Sequence, residues 1–165
     1  MPHRKYPPRL KIFSLKEKAE IETKLKNQFG IEEIPGFIIM RGEERLFLYQ
    51  GSLNPKEIQE IEDVLPVERV GVYFGKFIND KSGEEFIRLS IEGSQILSNQ
   101  ITKNIFELNE EQMQEWMKGR ELNIKTGKRD FLIIKYKDNF LGTGKASEEK
   151  ISNFIPKNRR LKEKN

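Results

Sequence analysis

Residues 128–146 read KRDFLIIKYKDNFLGTGKA. Asp130 to Tyr136 is a run of β-favouring residues, Lys137-Asp138-Asn139 is a polar turn, and Phe140 to Lys145 supplies a return strand. Asn139 is the residue expected to take the positive φ that a tight hairpin requires. Gly142 and Gly144 stand two apart and share one strand face, which leaves that face open to a close approach by another backbone. Further on, Ile151, Phe154 and Ile155 predict one more apolar strand before a polar end.

Upstream the texture is that of a small barrel. Val70 to Phe77 reads as a strand interrupted by Gly71 and Gly75, and glycines inside a strand mark bends or bulges. Phe86 to Leu89 is a second short strand. Ser90 to Leu97 is a short helix weakened by Gly93. Ile105 to Leu108 is a strand leading into a helix whose N-cap is Asn109, with Gln112 at the third position and Leu108 placed to staple onto Met113. Met113, Trp116 and Met117 face inward there, and Gly119 ends the helix.

The first 65 residues differ. Pro2, Pro7 and Pro8 start the chain extended. Ser14 with Glu17 is a capping box ahead of apolar residues at helical spacing, and Gly30 is a stop, so the spacing predicts a helix over 15–29. Phe37 to Met40 and Leu46 to Tyr49 flank a polar turn and predict a hairpin. Asn54-Pro55-Lys56-Glu57 opens a second helix, with Ile58, Ile61 and Leu65 on one face. That helix stops before Pro66, the best domain boundary. No Gly- or Ser-rich linker follows it, so the two parts are expected to pack together.

The chain has 165 residues, enough for one medium domain or two small ones. It is 36% hydrophobic and 34% charged, which fits a folded, heavily charged protein. Rich Lys, Glu and Ile usage without Cys points to a thermophilic source. Neither a membrane span nor a signal peptide is visible, so a cytoplasmic location and no membrane partner are expected. The net charge of +4 is unevenly spread. Residues 1–65 are balanced, 66–124 carry −3, and 125–165 carry +7. Arg4, Lys5, Arg9 and Lys11 form a second basic island. A basic end on a balanced body suggests a polyanionic partner, against the alternative of a solvated, frayed tail.

Several chemistries lack their residues. His3 is the sole histidine and no Cys exists, so neither a nucleophile–base pair nor a zinc ligand set can be assembled. Gly142-Thr143-Gly144-Lys145 looks like a phosphate loop only superficially, because it lies in a strand and precedes no helix. Acid pairs such as Glu43-Glu44 and Glu110-Glu111 fall in turns or first helical turns, where solvation or the helix dipole explains them. No catalytic residue, metal or cofactor is therefore expected.

The stretch from Lys128 to Ala146, with its Phe-Leu-Gly-x-Gly return strand, resembles the PUA domain, named for pseudouridine synthases and archaeosine transglycosylases. Gly71-Val72-Tyr73-Phe74-Gly75-Lys76-Phe77 and Arg88-Leu89-Ser90 resemble the start of the barrel in small ribosome-biogenesis factors built from a pre-PUA and a PUA domain. Ser90-Ile91-Glu92-Gly93-Ser94-Gln95 is also similar to the RNA-binding tail of the sun/fmu (NOL/NOP-type) rRNA cytosine methyltransferases. The resemblance implies an α+β chain with a pre-PUA-like unit at 1–65, a PUA-type β-barrel with short helices at 66–157, and a basic tail at 158–165.

It further implies RNA, either rRNA or tRNA and either single-stranded or structured, held in a cleft beside the barrel's first helix. Lys76, Arg88, Ser90, Glu92, Gly93 and Ser94 would lie near one wall, and Gly142, Gly144 and Lys145 near the other. Lys157, Arg159 and Arg160 would follow the last strand. Glycines would admit the RNA backbone while cations neutralise phosphates. Tyr73, Phe77 and Tyr136 are candidates for base stacking, with barrel core as the alternative. Stand-alone members of this kind assist rRNA processing or ribosome assembly without catalysis. A second reading is an adaptor whose neutral N-terminal unit recruits a ribosome-biogenesis or RNA-modification protein.

Overall fold

The structure is a computed structural model and describes residues 8–163. His3, Arg4 and Lys5 lie outside the described residues. The chain folds as α+β, with two sheets and four α-helices among the described residues.

The first sheet is antiparallel, in the order β1 (Lys11–Ile12), β2 (Phe37–Arg41), β3 (Arg45–Tyr49), β4 (Val72–Asn79) and β5 (Glu85–Leu89). Helix α1 (Leu15–Phe29) covers one face. Ser14 and Glu17 close the expected capping box, and Gly30 ends the helix at φ 81°. Ile21, Leu25 and Phe29 recur at every fourth position and are buried, as an amphipathic helix requires. Helix α2 (Pro55–Val64), capped by Asn54, lies on the opposite face, where Ile58 joins Leu10, Ile39 and Phe47.

Pro66 does not separate the sheets. β3 pairs with β4 across it, so the strands expected to begin a barrel complete the N-terminal sheet instead. Helix α2 ends where the sequence says it should, but the chain returns to the edge of the sheet it has just left. The second sheet begins only after the 3-10 turn Ser98–Gln100.

That sheet has the order β6 (Ile105–Glu107), β7 (Phe131–Tyr136), β8 (Asn139–Ala146) and β9 (Ile151–Ser152), with β6 parallel to β7 and the other pairs antiparallel. A Leu122–Ile151 bridge extends it, and the curled sheet is a half-barrel, consistent with the expected PUA-type fold. Helix α4 (Glu110–Met117) carries the Asn109/Gln112 capping box and buries Trp116, whose Nε1 donates to the Leu141 carbonyl at 3.0 Å. The 131–146 hairpin forms as expected, except that Lys137, not Asn139, takes the positive φ, at 51°. With Tyr136 opposite Asn139, the turn has only two residues and Asn139 already belongs to the ladder.

Helix α3 (Ile91–Ile96) lies between the sheets. Gly93 fits it against β4, because a methyl there would overlap the Phe74 carbonyl oxygen. The principal core crosses from one sheet to the other: Leu25, Phe29, Phe74 and Ile87 share a cluster with Phe131, Ile133 and Phe140. The outer edge of β5 is closed by a side chain. The Gln28 amide donates to the Ile87 carbonyl at 3.0 Å and accepts from the Ile87 N–H at 2.8 Å, mimicking a strand.

Candidate nucleic-acid interface

Three cations stand in a row across the first sheet. Arg45 is the register partner of Lys76, and Lys76 of Arg88. Directly opposed residues of an antiparallel pair project to the same face, where like charges repel. The ladder shifts between Leu46 and Phe47, leaving Phe74 as the extra residue of β4. This bulge sends Phe74 into the principal core while Tyr73 and Lys76 share the other face of the sheet, the α2 side, with Arg45 and the buried Phe47. Without it, Tyr73 and Lys76 would project to opposite sides.

The row forms the floor of an open groove of about 720 Å³. Arg69 enters from the segment after α2, with its guanidinium 5.8 Å from the Phe47 ring centre. The opposite side is built by Ile91 and Glu92 of α3 and by Phe154, Pro156, Asn158 and Arg159 of the closing segment. The Arg88 guanidinium lies over the Phe154 ring at 4.5 Å. Lys76 pairs with Glu44 at 2.8 Å, and Arg159 pairs with Glu92. Arg45, Arg69 and Arg88 have no acidic partner within ion-pair distance among the described residues, although most other arginines do. The groove therefore holds five cations against a rim of two carboxylates.

The residues expected from sequence separate into two groups. Lys76, Arg88, Ser90 and Arg159 line the groove, together with Glu92 and the stacking candidate Tyr73. The rest do other work. Ser90 also caps α3, accepting from the Gly93 N–H and donating to the Tyr73 carbonyl. Ser94 is fully buried and its hydroxyl accepts from the Gly142 N–H at 3.1 Å.

Gly93 packs on β4, Gly142 packs at φ 82° against the start of α3, and Gly144 makes room for Ile151 and Trp116. Gly93 and Gly144 admit the protein's own chain, whereas Gly142 is required by its positive φ and lines the small space beside Thr143. Lys145 points elsewhere, donating to the Arg129 carbonyl and resting 4.6 Å from the Phe131 ring centre. The expected tail at 158–165 is docked over its described part: a 3-10 turn spans Lys157–Arg159, and the Leu161 N–H reaches the Met117 carbonyl. Arg160 bonds the Ile155 carbonyl and packs on Gly119, and Lys157 is not part of the groove. Phe77 packs on the principal core, and Tyr136 on the smaller cluster around Trp116.

Sequence reasoning missed Arg45, Arg69 and Phe154 as site residues. The Arg45-x-Phe47 alternation is a usable signal, but only once β3 is known to pair with β4. No helix among the described residues is long and apolar enough to cross a membrane. Among the same residues no group of three or more His, Cys, Asp or Glu side chains is placed to hold a metal ion.

Comparison with known proteins bears on the C-terminal part of the chain. Residues 103–161 match the family model of the methyltransferase RsmF PUA domain. Ribosomal RNA small subunit methyltransferase F of Vibrio campbellii (strain ATCC BAA-1116) is 28% identical over 151 residues, which cover 87% of this chain but 29% of that protein. The chain thus spans less than a third of the length of the curated relative it matches. On these findings, residues 103–161 are a PUA-type domain related to that of methyltransferase RsmF.

Proposed function

We propose that this protein is a non-catalytic RNA-binding protein acting on ribosomal RNA, in its processing or in ribosome assembly. The observation that carries the reading is the register of Arg45, Lys76 and Arg88. Three like charges side by side on a sheet destabilise it slightly unless a polyanion lies across them. Arg69 and Arg159 extend the same positive field, and a phosphate chain supplies the matching negative charge. The PUA-type domain supports RNA as that chain, and the rRNA methyltransferase relative favours ribosomal RNA. Contribution to an RNA-modification reaction on a separate catalytic protein is the second reading. It is favoured by exposed Ile61, Val64 and Leu65 on α2, which leave an apolar face for a protein neighbour.

A salt titration of RNA affinity tests the proposal. With about four phosphates neutralised, log affinity should fall against log salt with a slope of roughly −3 on a single strand. A flat profile refutes it. Glu44 competes for Lys76, so Glu44→Gln should tighten binding about twofold, the scale of an exposed ion pair. Unchanged affinity would mean that Lys76 makes no phosphate contact.

A further inference from the structure

At its inner end the groove narrows to a niche of about 30 Å³. Tyr73, Arg88, Ser90, Ile91, Phe154 and Pro156 line both spaces, so the niche adjoins the groove across these side chains. Thr143 lies on its inner wall. The Thr143 side chain is buried, at 3% exposure, and its hydroxyl has no hydrogen-bond partner among the described residues. Buried hydroxyls are ordinarily paired, and one left alone is costly. Above it, the Arg88 guanidinium lies on Phe154 and has no acid to hold it. Guanidinium planes and aromatic rings are the surfaces on which unpaired bases stack.

We propose that this inner end is a subsite for one unpaired nucleotide. The base takes the place of the Phe154 ring on the Arg88 guanidinium, and one polar atom of its edge enters the niche and pairs with Thr143 Oγ1. Phe154 must turn aside for that atom to pass. The ring lies beyond β9, outside any strand ladder, where such a turn breaks no backbone bond. The niche admits one water-sized group and no ring, so the base stays above and only its edge is read. The RNA class follows: single-stranded or looped, because a base stacked within a duplex has no free face for the Arg88 guanidinium. This subsite rests on the reading that the groove binds RNA.

The test uses the full chain, a single-stranded RNA oligonucleotide carrying 2-aminopurine, and the same sequence annealed into a duplex. Binding should be about tenfold tighter for the single strand and should change the 2-aminopurine fluorescence, as base stacking on protein groups predicts. Thr143→Val keeps the shape and removes the hydroxyl. It should lose roughly fivefold on the single strand and nothing on the duplex, the scale of one hydrogen bond. It should also melt no lower than the parent, because the deleted hydroxyl had no partner.

Equal single-strand affinity of Thr143→Val and the parent overturns the subsite, and so does a lower melting temperature. If salt-dependent binding persists with no preference for the single strand, the subsite fails and the groove stands. If neither RNA binds, the groove reading itself fails.

Discussion

Replacing Arg45 and Arg88 together with glutamate is expected to lower RNA affinity about a hundredfold at low salt, because phosphates go unneutralised and meet new negative charge. Each change removes an attraction and installs a repulsion on the floor of the groove. The salt slope should also flatten by roughly 0.7 for each phosphate that the protein no longer neutralises on a single strand. The fold should not suffer. Neither arginine has an acidic partner among the described residues, and both flank Lys76 in the ladder. A glutamate on each side of that lysine replaces like-charge neighbours with opposite ones, worth a few tenths of a kcal/mol in the sheet's favour. Fluorescence anisotropy across a salt series, with thermal melting in parallel, separates the two effects. An affinity equal to the parent's, with the fold intact, would remove this groove as the RNA site.

The second large effect concerns folding. Gly93→Ala should destabilise the protein by about 3 kcal/mol, the upper range for overpacking a tight interior. A chain of this size then melts roughly 10 °C lower. The added methyl would overlap the Phe74 carbonyl oxygen, a backbone atom that cannot rotate away. That oxygen also accepts from the Ser90 N–H at 3.0 Å, and Ser90 caps the helix. Moving α3 outward therefore weakens its own cap. It also pulls Ser94 from the Gly142 N–H, which would be left buried without a partner. Circular dichroism melting checks the prediction, and a melting temperature within about 2 °C of the parent's would refute the packing argument.

The capped helices were the most legible part of the sequence. Ser14/Glu17, Asn54/Glu57 and Asn109/Gln112 each state a local rule within four residues, and the structure obeys all three. The 131–146 hairpin was equally plain, because its two strands are neighbours in sequence. What stayed hidden depends on distant partners. Nothing near Pro66 says that β4 will return to β3, and although Gly75 marks the bulge beside it at Phe74, nothing local says that Tyr73 and Lys76 then turn to one side.

The glycines show the same limit. A small residue signals that something approaches closely, but not whether it is a ligand or the protein itself. Gly93 and Gly144 admit the protein, and Gly142 serves a positive φ. The charges were half legible. Clustering pointed to the closing segment, yet of Lys157, Arg159 and Arg160 only Arg159 reaches the groove. Arg45 sat in a stretch with no net charge and Arg69 in one that carries −3.

The shared interior of the two sheets bears on what can be cut from this chain. The segment that matches the PUA family begins at residue 103, yet Phe131, Ile133 and Phe140 rest on side chains contributed by α1, β4 and β5. Released alone, that segment would present three large apolar groups to water. The unit recognised by family likeness is thus smaller than the unit that folds, and heating should take both sheets apart in a single cooperative step.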